Sequence, residues 1–169
     1  LISYILRKVA DFDVGEKAIK KLATIATYAS LANFFFIGME FFTAFYSNIP
    51  GHMHSLQYLY FGLEGKYQMV PWMWFSVFSG ILSIMFFLYQ QKNHSKPLLI
   101  AACMGIIISL WIDKGIGLII GGFIPSPEEE IIEYSATFIE ITVTLGIWAI
   151  GVLILTALLK VVIEIKKDN

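Results

Sequence analysis

Four charged residues lie inside long apolar stretches of this sequence, where charge is unusual. They are Glu40, Asp113, Lys114 and Glu140. A charged side chain at the centre of a membrane helix costs about 2.5–3.5 kcal/mol on insertion scales, so each is expected to face a protein interior and to have a partner. A buried carboxylate holds its proton more tightly, whereas a nearby ammonium weakens that hold. Carboxylates under both influences are suited to taking up and releasing protons.

The three acidic residues are expected at one depth. Glu40 lies six residues before the outer end of its apolar stretch, Asp113 seven before the end of another, and Glu140 six after the start of a third. At a rise of about 1.5 Å per residue, each would lie roughly 9–10 Å below the outer boundary. One interpretation is a structural ion pair between Lys114 and one acid that fixes helix register. The other is proton handling, which the surplus of acid over base favours.

Polar residues share helix faces with these acids. Spacings of three, four and seven residues place Ser30 and Asn33 on the face of Glu40, and Thr137 on the face of Glu140. A polar seam is therefore predicted to run from the acidic layer toward the cytoplasm. Further hydroxyls lie along the first two apolar stretches, at Thr27, Ser76, Ser79 and Ser83.

The composition indicates a membrane protein. Of 169 residues, 57% are hydrophobic and 15% are charged, against about 25% charged in ordinary soluble domains. Mean hydropathy is +0.72. A soluble protein of this size has too little interior to bury so much apolar surface. The net charge of −1 gives no indication of a nucleic-acid partner.

Four apolar runs are long enough to cross a bilayer, which takes about 20 residues per helix. Because they lack the alternation of membrane strands, the predicted fold is an all-α bundle of four transmembrane helices at residues 22–163. Residues 1–21 form either an amphipathic helix at the interface or a solvated connector, and residues 164–169 form a cytoplasmic tail. The spans are expected at about 22–46, 70–90, 98–120 and 134–163.

The distribution of Lys and Arg orients the bundle. Basic residues cluster before the first span, between the second and third, and at the end of the chain. The positive-inside rule then places both termini in the cytoplasm and the loops at 47–69 and 121–133 outside. Aromatic residues near the outer loops are predicted to form an interfacial belt: Tyr58, Tyr60, Tyr67, Trp72, Trp74 and Tyr134.

Several kinds of site are not indicated. A transmembrane haem needs histidines within spans, and a closed metal site needs more ligands than one loop offers, so neither haem nor metal is expected. A single cysteine, Cys103, excludes an internal disulfide, and no nucleophile–base set suggests a catalytic residue. The glycines of a G-x-x-x-G in the third span, Gly117 and Gly121, predict close helix packing. The three histidines are expected in loops: His52, His54 and His94.

Three stretches together resemble one family of membrane proteins. They are "EFFTAFYSNIPGHMHSLQYLYFGLEGKYQMVPWMWFS", "LWIDKGIGLIIGGFIPSP" and "EYSATFIEITVTLGIWAIGVLILTALLKVVI". In this order and spacing they look like the C-terminal half of NrfD/PsrC-type integral membrane subunits of the polysulfide reductase family, of the DsrP and HmcC type found in sulfate reducers. The resemblance covers nearly the whole chain, from about Lys8 onward.

The resemblance implies a fold of two successive four-helix bundles, of which this chain would be the second, in a prokaryotic cytoplasmic membrane. It implies electron exchange between membrane quinone, here menaquinone, and a ferredoxin-like iron–sulfur subunit on the outer face. Other partners would be a multihaem cytochrome c and a heterodisulfide-reductase-like subunit. Glu40, Asp113, Lys114 and Glu140 fall where a proton route of the second bundle is expected. The family's quinone pocket is built mainly by the first bundle, so a companion chain, or another part of a longer subunit, is expected to supply it.

The sequence therefore favours a membrane subunit of a quinone-dependent oxidoreductase complex, without a complete catalytic site of its own. An independent four-span ion or proton transporter and a purely structural membrane anchor remain the alternatives. Co-purification discriminates between them, because the first predicts iron–sulfur and cytochrome c partners and the transporter predicts a homo-oligomer.

Overall fold

A computed structural model describes residues 15–47, 50–93, 95–122 and 137–167. Four of its helices are long and apolar enough to cross a membrane, which confirms the predicted all-α four-span architecture. In chain order the helical elements are α1 (Glu16–Ser47), α2 (Pro50–Tyr60), α3 (Val70–Asn93), α4 (Lys96–Leu110), a π-helix (Trp111–Gly117), α5 (Leu118–Gly121) and α6 (Phe138–Lys167). The third span is continuous from Lys96 to Gly121 and comprises α4, the π-helix and α5.

The helices begin and end where the local sequence permits. Pro71 and Pro97 lie in the first turns of α3 and α4, where the missing N–H would have no helical partner. Gly62 follows the end of α2 and has a φ of +82°, a left-handed conformation that favours glycine. α1 has 32 residues and so extends about 48 Å, beyond a hydrocarbon core of roughly 30 Å.

The described chain divides into two compact units. The first contains α1 to α5 and the π-helix, and the second contains α6. Within the first unit α3 and α4 form the most extensive helix pair, and α1 packs on α3. Of the predicted segment 1–21, Glu16 to Lys21 belong to α1, and the preceding residues 1–14 lie outside the described part.

Helix α2 is the element that the sequence did not predict, because residues 47–69 were expected to form a loop. It contacts α1, α3 and α5. Its buried side chains join a single apolar core cluster with residues from α1, α3 and the third span: Leu56, Tyr58, Leu59, Tyr60, Ala44, Met73, Ile112 and Ile120. Eleven residues are too few to cross a bilayer, so α2 is an additional helix packed on the spans of the first unit.

The burial of α2 corrects the predicted aromatic belt. Tyr58 is 1% exposed and Tyr60 is 5% exposed, so both are core residues. Trp72, Trp74 and Tyr67 are exposed, as an interfacial belt requires. The sixth residue of the predicted belt, Tyr134, lies outside the described residues.

Small residues hold α3 and α4 together. The Ser76 and Ser109 hydroxyls each donate a hydrogen bond of 2.8 Å to the other residue's backbone carbonyl. The Ser79 hydroxyl donates to the Gly105 carbonyl at 3.0 Å. Such contacts let backbones approach closely in a membrane, where no hydrophobic force drives helices together.

Candidate functional site

The candidate site begins with the π-helix, whose seven residues, Trp111–Gly117, include Asp113 and Lys114. A π-helix widens the backbone ladder to i→i+5 hydrogen bonds, and such segments occur frequently at functional sites. Asp113 and Lys114 are neighbours within this π-helix, and their side chains form an ion pair.

Lys114 lies between two carboxylates. Its Nζ is 3.1 Å from Asp113 Oδ2 and 4.0 Å from Glu40 Oε2, the latter at the outer limit of an ion pair. The structure therefore brings Glu40 of α1 together with Asp113 and Lys114 of the third span. The Asp113 side chain is 10% exposed, whereas the Glu40 side chain is 56% exposed within its unit. The two acids thus differ sharply in access to their surroundings.

Tyr60 completes this charged cluster from α2. The ring packs edge-on against Phe41 with centroids 4.7 Å apart, and the Tyr60 carbonyl accepts a 3.0 Å hydrogen bond from Trp74 Nε1. α2 lies outside the membrane spans. Burial raises the pKa of Tyr60, and the negative charges of Asp113 and Glu40 and a hydrogen bond to the Asp113 side chain raise it further. The hydroxyl therefore stays protonated and remains a donor to Asp113.

Asp113 is not saturated by these contacts. Within the described part of the protein, its Oδ2 atom has no hydrogen-bond partner, although Lys114 faces it as an ion-pair partner. A carboxylate oxygen accepts about two hydrogen bonds when fully satisfied. This atom therefore keeps acceptor capacity for another donor.

A cavity of about 190 Å³ adjoins the cluster. Its walls come from α1, α2, α3 and the third span, and its polar lining consists of Glu40, Ser55, Tyr60, Asp113 and Lys114. Sites for drug-sized ligands measure about 300 Å³ or more, so this cavity is smaller than such a site.

The two glycines of the G-x-x-x-G line the same cavity, and the predicted close packing is confirmed. A methyl group added at Gly117 would lie 3.0 Å from Met73 Sδ, and one at Gly121 would lie 3.1 Å from Ser55 Oγ. Ser55 Oγ donates a 3.0 Å hydrogen bond to the Gly121 carbonyl. The absence of side chains at these positions thus allows α2 and α3 to approach the third span.

The predicted polar stripe on α1 is partly buried. Ser30 and Thr27 are buried and Asn33 is half-buried. The Ser30 and Thr27 hydroxyls donate to carbonyls of their own helix at 2.8 Å, those of Ala26 and Ala23. Thr27 also accepts a 3.1 Å hydrogen bond from Gln91 Nε2. Each hydroxyl of this stripe is therefore bound to its own local partner.

The serines of α3 donate hydrogen bonds to backbone carbonyls of α3 and α4. Ser76 and Ser79 donate to backbone carbonyls of α4, and Ser83 donates to the Ser79 carbonyl at 2.7 Å. The hydroxyl hydrogens of Ser76 and Ser79 therefore bridge α3 and α4, whereas that of Ser83 stays within α3. These residues stabilise the helix pair that positions the π-helix.

In the second unit, Glu140 and Thr137 form a capping box at the start of α6. Glu140 Oε2 accepts hydrogen bonds from the Thr137 backbone N–H at 2.7 Å and from its hydroxyl at 2.8 Å, and Thr137 Oγ1 accepts from the Glu140 N–H at 3.4 Å. This reciprocal arrangement satisfies donors that a helix terminus leaves open. The geometry gives Glu140 a structural role, and its membership of the acidic layer stays a prediction.

Sequence reasoning missed Tyr60 and Ser55 because it assigned them to a loop. Pro50 at the start of the segment and Gly62 after its end are residues that commonly begin and end a helix. His52 and His54 were expected in a loop, but both belong to α2. His94 lies outside the described residues. In the described ranges no three His, Cys, Asp or Glu side chains are grouped as metal ligands.

No protein-family model matches this chain, and no curated protein or solved structure matches it either.

Proposed function

We propose that this chain is a membrane subunit of a respiratory oxidoreductase complex, and that its own contribution is a proton-handling site formed by Glu40, Asp113, Lys114 and Tyr60. One observation carries the proposal: the buried Asp113 carboxylate lies between an ammonium at 3.1 Å and a tyrosine hydroxyl, beside a cavity. We place the site near the outer face of a prokaryotic cytoplasmic membrane, with both chain termini in the cytoplasm, from the distribution of Lys and Arg.

The charges of the cluster favour exchange of a proton over a fixed ion pair. Glu40 and Asp113 together can carry two negative charges, and Lys114 compensates one of them. A second, uncompensated charge inside a membrane is costly, and this surplus of acid over base is the reason we propose proton handling here. Asp113 and Glu40 then act as the acceptor pair, and Lys114 is their common counter-ion.

The route inward from this cluster would follow α1, past Asn33 and Ser30 toward Thr27. Asn33 is half-buried and the two hydroxyl residues are buried, so all three are at least partly shielded from lipid. That Thr137 and Glu140 also belong to the proton route stays a prediction from the sequence.

The redox part of the proposal rests on the resemblance to NrfD/PsrC-type subunits. It assigns menaquinone to a companion bundle, the iron–sulfur centre to a ferredoxin-like subunit on the outer face, and haem to a multihaem cytochrome c. A heterodisulfide-reductase-like subunit would complete the assembly. The chain itself would move protons while its partners move electrons.

The test combines purification with proton measurements. The tagged chain is purified from its native membranes, and the proposal expects iron–sulfur and cytochrome c subunits to accompany it. The complex is then placed in vesicles with a menaquinol analogue and a pH-sensitive dye. Asp113→Asn should lower proton uptake per electron while quinol oxidation continues, and Glu16→Gln, in an exposed ion pair with Lys96, should leave it unchanged.

Two outcomes would overturn the proposal. Purification as a homo-oligomer without redox partners would support the independent ion transporter. Unchanged proton uptake in Asp113→Asn and in Glu40→Gln, with the complex intact, would support a structural ion pair in a membrane anchor.

A further inference from the structure

One end of the first unit carries a concentration of positive charge. Among the described residues, Glu16 is the only acid at this end, and it forms an ion pair with Lys96 at 3.2 Å. The other lysines there are exposed and have no ion pair within the described part of the chain: Lys17, Lys20 and Lys21 of α1 and Lys92 of α3. The positive charge at this end is therefore largely uncompensated by the protein.

Contacts between helices hold these lysines at one end. The Glu16–Lys96 pair joins the start of α1 to the start of α4. A hydrogen bond of 3.1 Å from Gln91 Nε2 to Thr27 Oγ1 joins the end of α3 to α1, and Gln91 directly precedes Lys92. Two helix ends, braced by α4, thus present one basic surface. We call it the basic rim, and it consists of Lys17, Lys20, Lys21 and Lys92.

An exposed apolar surface adjoins the basic rim. Leu22 and Ile25 continue α1 directly after its lysines, and Leu88 precedes the lysine of α3 by one turn, and all three side chains are exposed. Two exposed tyrosines, Tyr28 and Tyr89, also lie within two turns of the lysines. Tyrosine is enriched at the boundary between lipid headgroups and hydrocarbon. The rim therefore combines cations, interfacial aromatic rings and an apolar wall in the order that a phospholipid requires.

We propose that the basic rim binds the phosphate groups of anionic phospholipids, whose acyl chains pack on the adjoining apolar surface of α1 and α3. Charge complementarity selects the lipid class, because each lysine beside a membrane span strengthens attachment to an anionic lipid surface about fivefold. A zwitterionic headgroup carries its own cation and gains little from the same lysines. The apolar wall favours a lipid over an acidic soluble protein, which has no acyl chains to cover it.

The experiment measures lipid binding by native mass spectrometry. The protein is purified with the subunits that accompany it, and its lipids are exchanged for a non-ionic detergent. Phosphatidylglycerol and phosphatidylcholine with the same acyl chains are then added separately at low ionic strength. Phosphatidylglycerol should bind more than about tenfold more tightly, and added salt should reduce this preference. Equal binding of the two lipids, or no binding of phosphatidylglycerol, would overturn the proposal.

Charge substitutions locate the lipid on the rim. A triple variant with Lys17→Gln, Lys20→Gln and Lys21→Gln should bind phosphatidylglycerol more than about tenfold more weakly. The corresponding triple substitution by Arg keeps the charge and should bind as tightly as the wild type. Unchanged binding in the Gln variant would reject the rim as the site, whereas loss of binding in the Arg variant would contradict attraction by charge.

A matched control removes the same charge from α6. Lys160→Gln, Lys166→Gln and Lys167→Gln together should leave phosphatidylglycerol binding as it is in the wild type. Equal weakening in this variant and in the rim variant would show general electrostatic attraction and reject a site at the rim.

Inorganic phosphate distinguishes a lipid site from a site for free phosphate. At matched ionic strength, sodium phosphate should displace phosphatidylglycerol no better than sodium chloride does. Full displacement by inorganic phosphate alone would show a site for the free ion and reject the lipid. The inference uses only the membrane architecture and not the proposed proton or redox role. Lipid binding by the rim variant and proton uptake by Asp113→Asn are separate readouts, so either proposal can fail while the other stands.

Discussion

Ser76 of α3 and Ser109 of α4 exchange hydrogen bonds: each hydroxyl donates to the backbone carbonyl of the other residue at 2.8 Å. Both side chains are buried, at 2% and 4% exposure. Ser109 lies one turn before Asp113 on the third span. The pair therefore fixes the third span against α3 just where the π-helix begins, and it sets the position of Asp113 and Lys114.

We expect Ser76→Ala and Ser109→Ala each to lower the unfolding free energy by about 0.5–1.5 kcal/mol, the range for hydrogen bonds between membrane helices. Thr43→Ala is the control, because the Thr43 hydroxyl is exposed and bonds only to Met39 of its own helix among the described contacts. Unfolding in mixed detergent measures all three. Equal effects in the control and in the serine variants would show that the interhelical bonds contribute nothing specific.

Gly80 provides a second test of the same interface. A methyl group at this position would lie 2.6 Å from Phe34 Cζ and 2.7 Å from Ser109 Oγ, which forces both neighbours to move. Gly80→Ala should therefore destabilise the protein by about 1–3 kcal/mol. Gly38→Ala is the matched control, since nothing lies within 4 Å of its added methyl and it should be neutral or mildly stabilising. Thermal unfolding of both variants compares them, and a stable Gly80→Ala would contradict the close approach.

The spans were predictable from sequence because apolar runs of about 20 residues have few alternatives to crossing a bilayer. Helix α2 was not, since its eleven residues have mixed polarity and it is stabilised by burying Tyr58 and Tyr60 against other helices. Only tertiary contact distinguishes such a segment from a loop.

Part of the site was also predictable from the sequence. The rarity of charge in apolar runs identified Glu40, Asp113 and Lys114, and equal depth indicated that they could meet. The π-helix changes the register of the third span, and no local residue pattern demands that change. Tyr60 joins the cluster only because α2 packs against α1, α3 and the third span, which periodicity along the chain does not reveal.

Lys114→Met should expose the dependence of Asp113 on its counter-ion. Removing one partner of a fully buried pair costs roughly 3–5 kcal/mol, and because Lys114 is nearly half exposed we expect about 1–2 kcal/mol here. The double variant with Asp113→Asn should recover most of this loss, since the unpaired charge is gone. Lys96→Met, which breaks an exposed pair with Glu16, should cost less than about 1 kcal/mol. Urea unfolding of the four proteins tests this, and a failure of the double variant to recover would argue against the pair.

Variants of Thr137 and Glu140 test whether Glu140 caps α6 or takes part in proton transfer. Thr137→Ala removes the N-cap hydroxyl and should cost about 0.5–2 kcal/mol, visible as faster amide hydrogen exchange in the first turn of α6. Glu140→Gln keeps an acceptor at the position where a capping box tolerates Gln, so exchange should change little. If Glu140 acts only as a cap, proton uptake will also be normal in Glu140→Gln. Reduced uptake in this variant would instead place Glu140 in the proton route.

The raised pKa of Tyr60 predicts how the stability of the protein depends on pH in the alkaline range. Its pKa is raised above the ordinary value of 10.0 by burial and by the nearby carboxylates, so the folded protein holds this proton more tightly than the unfolded chain does. The stabilisation is complete below pH 10.0 and is lost as the pH rises toward the folded-state pKa, because the unfolded state alone ionises. Each pH unit in this window should lower the unfolding free energy by up to about 1.4 kcal/mol. Tyr60→Phe keeps the ring packing against Phe41 but lacks the titrating group, so its stability should fall less steeply above pH 10.0. Denaturant unfolding at a series of alkaline pH values compares the two slopes, and identical slopes would show that Tyr60 is not held protonated by the acidic cluster.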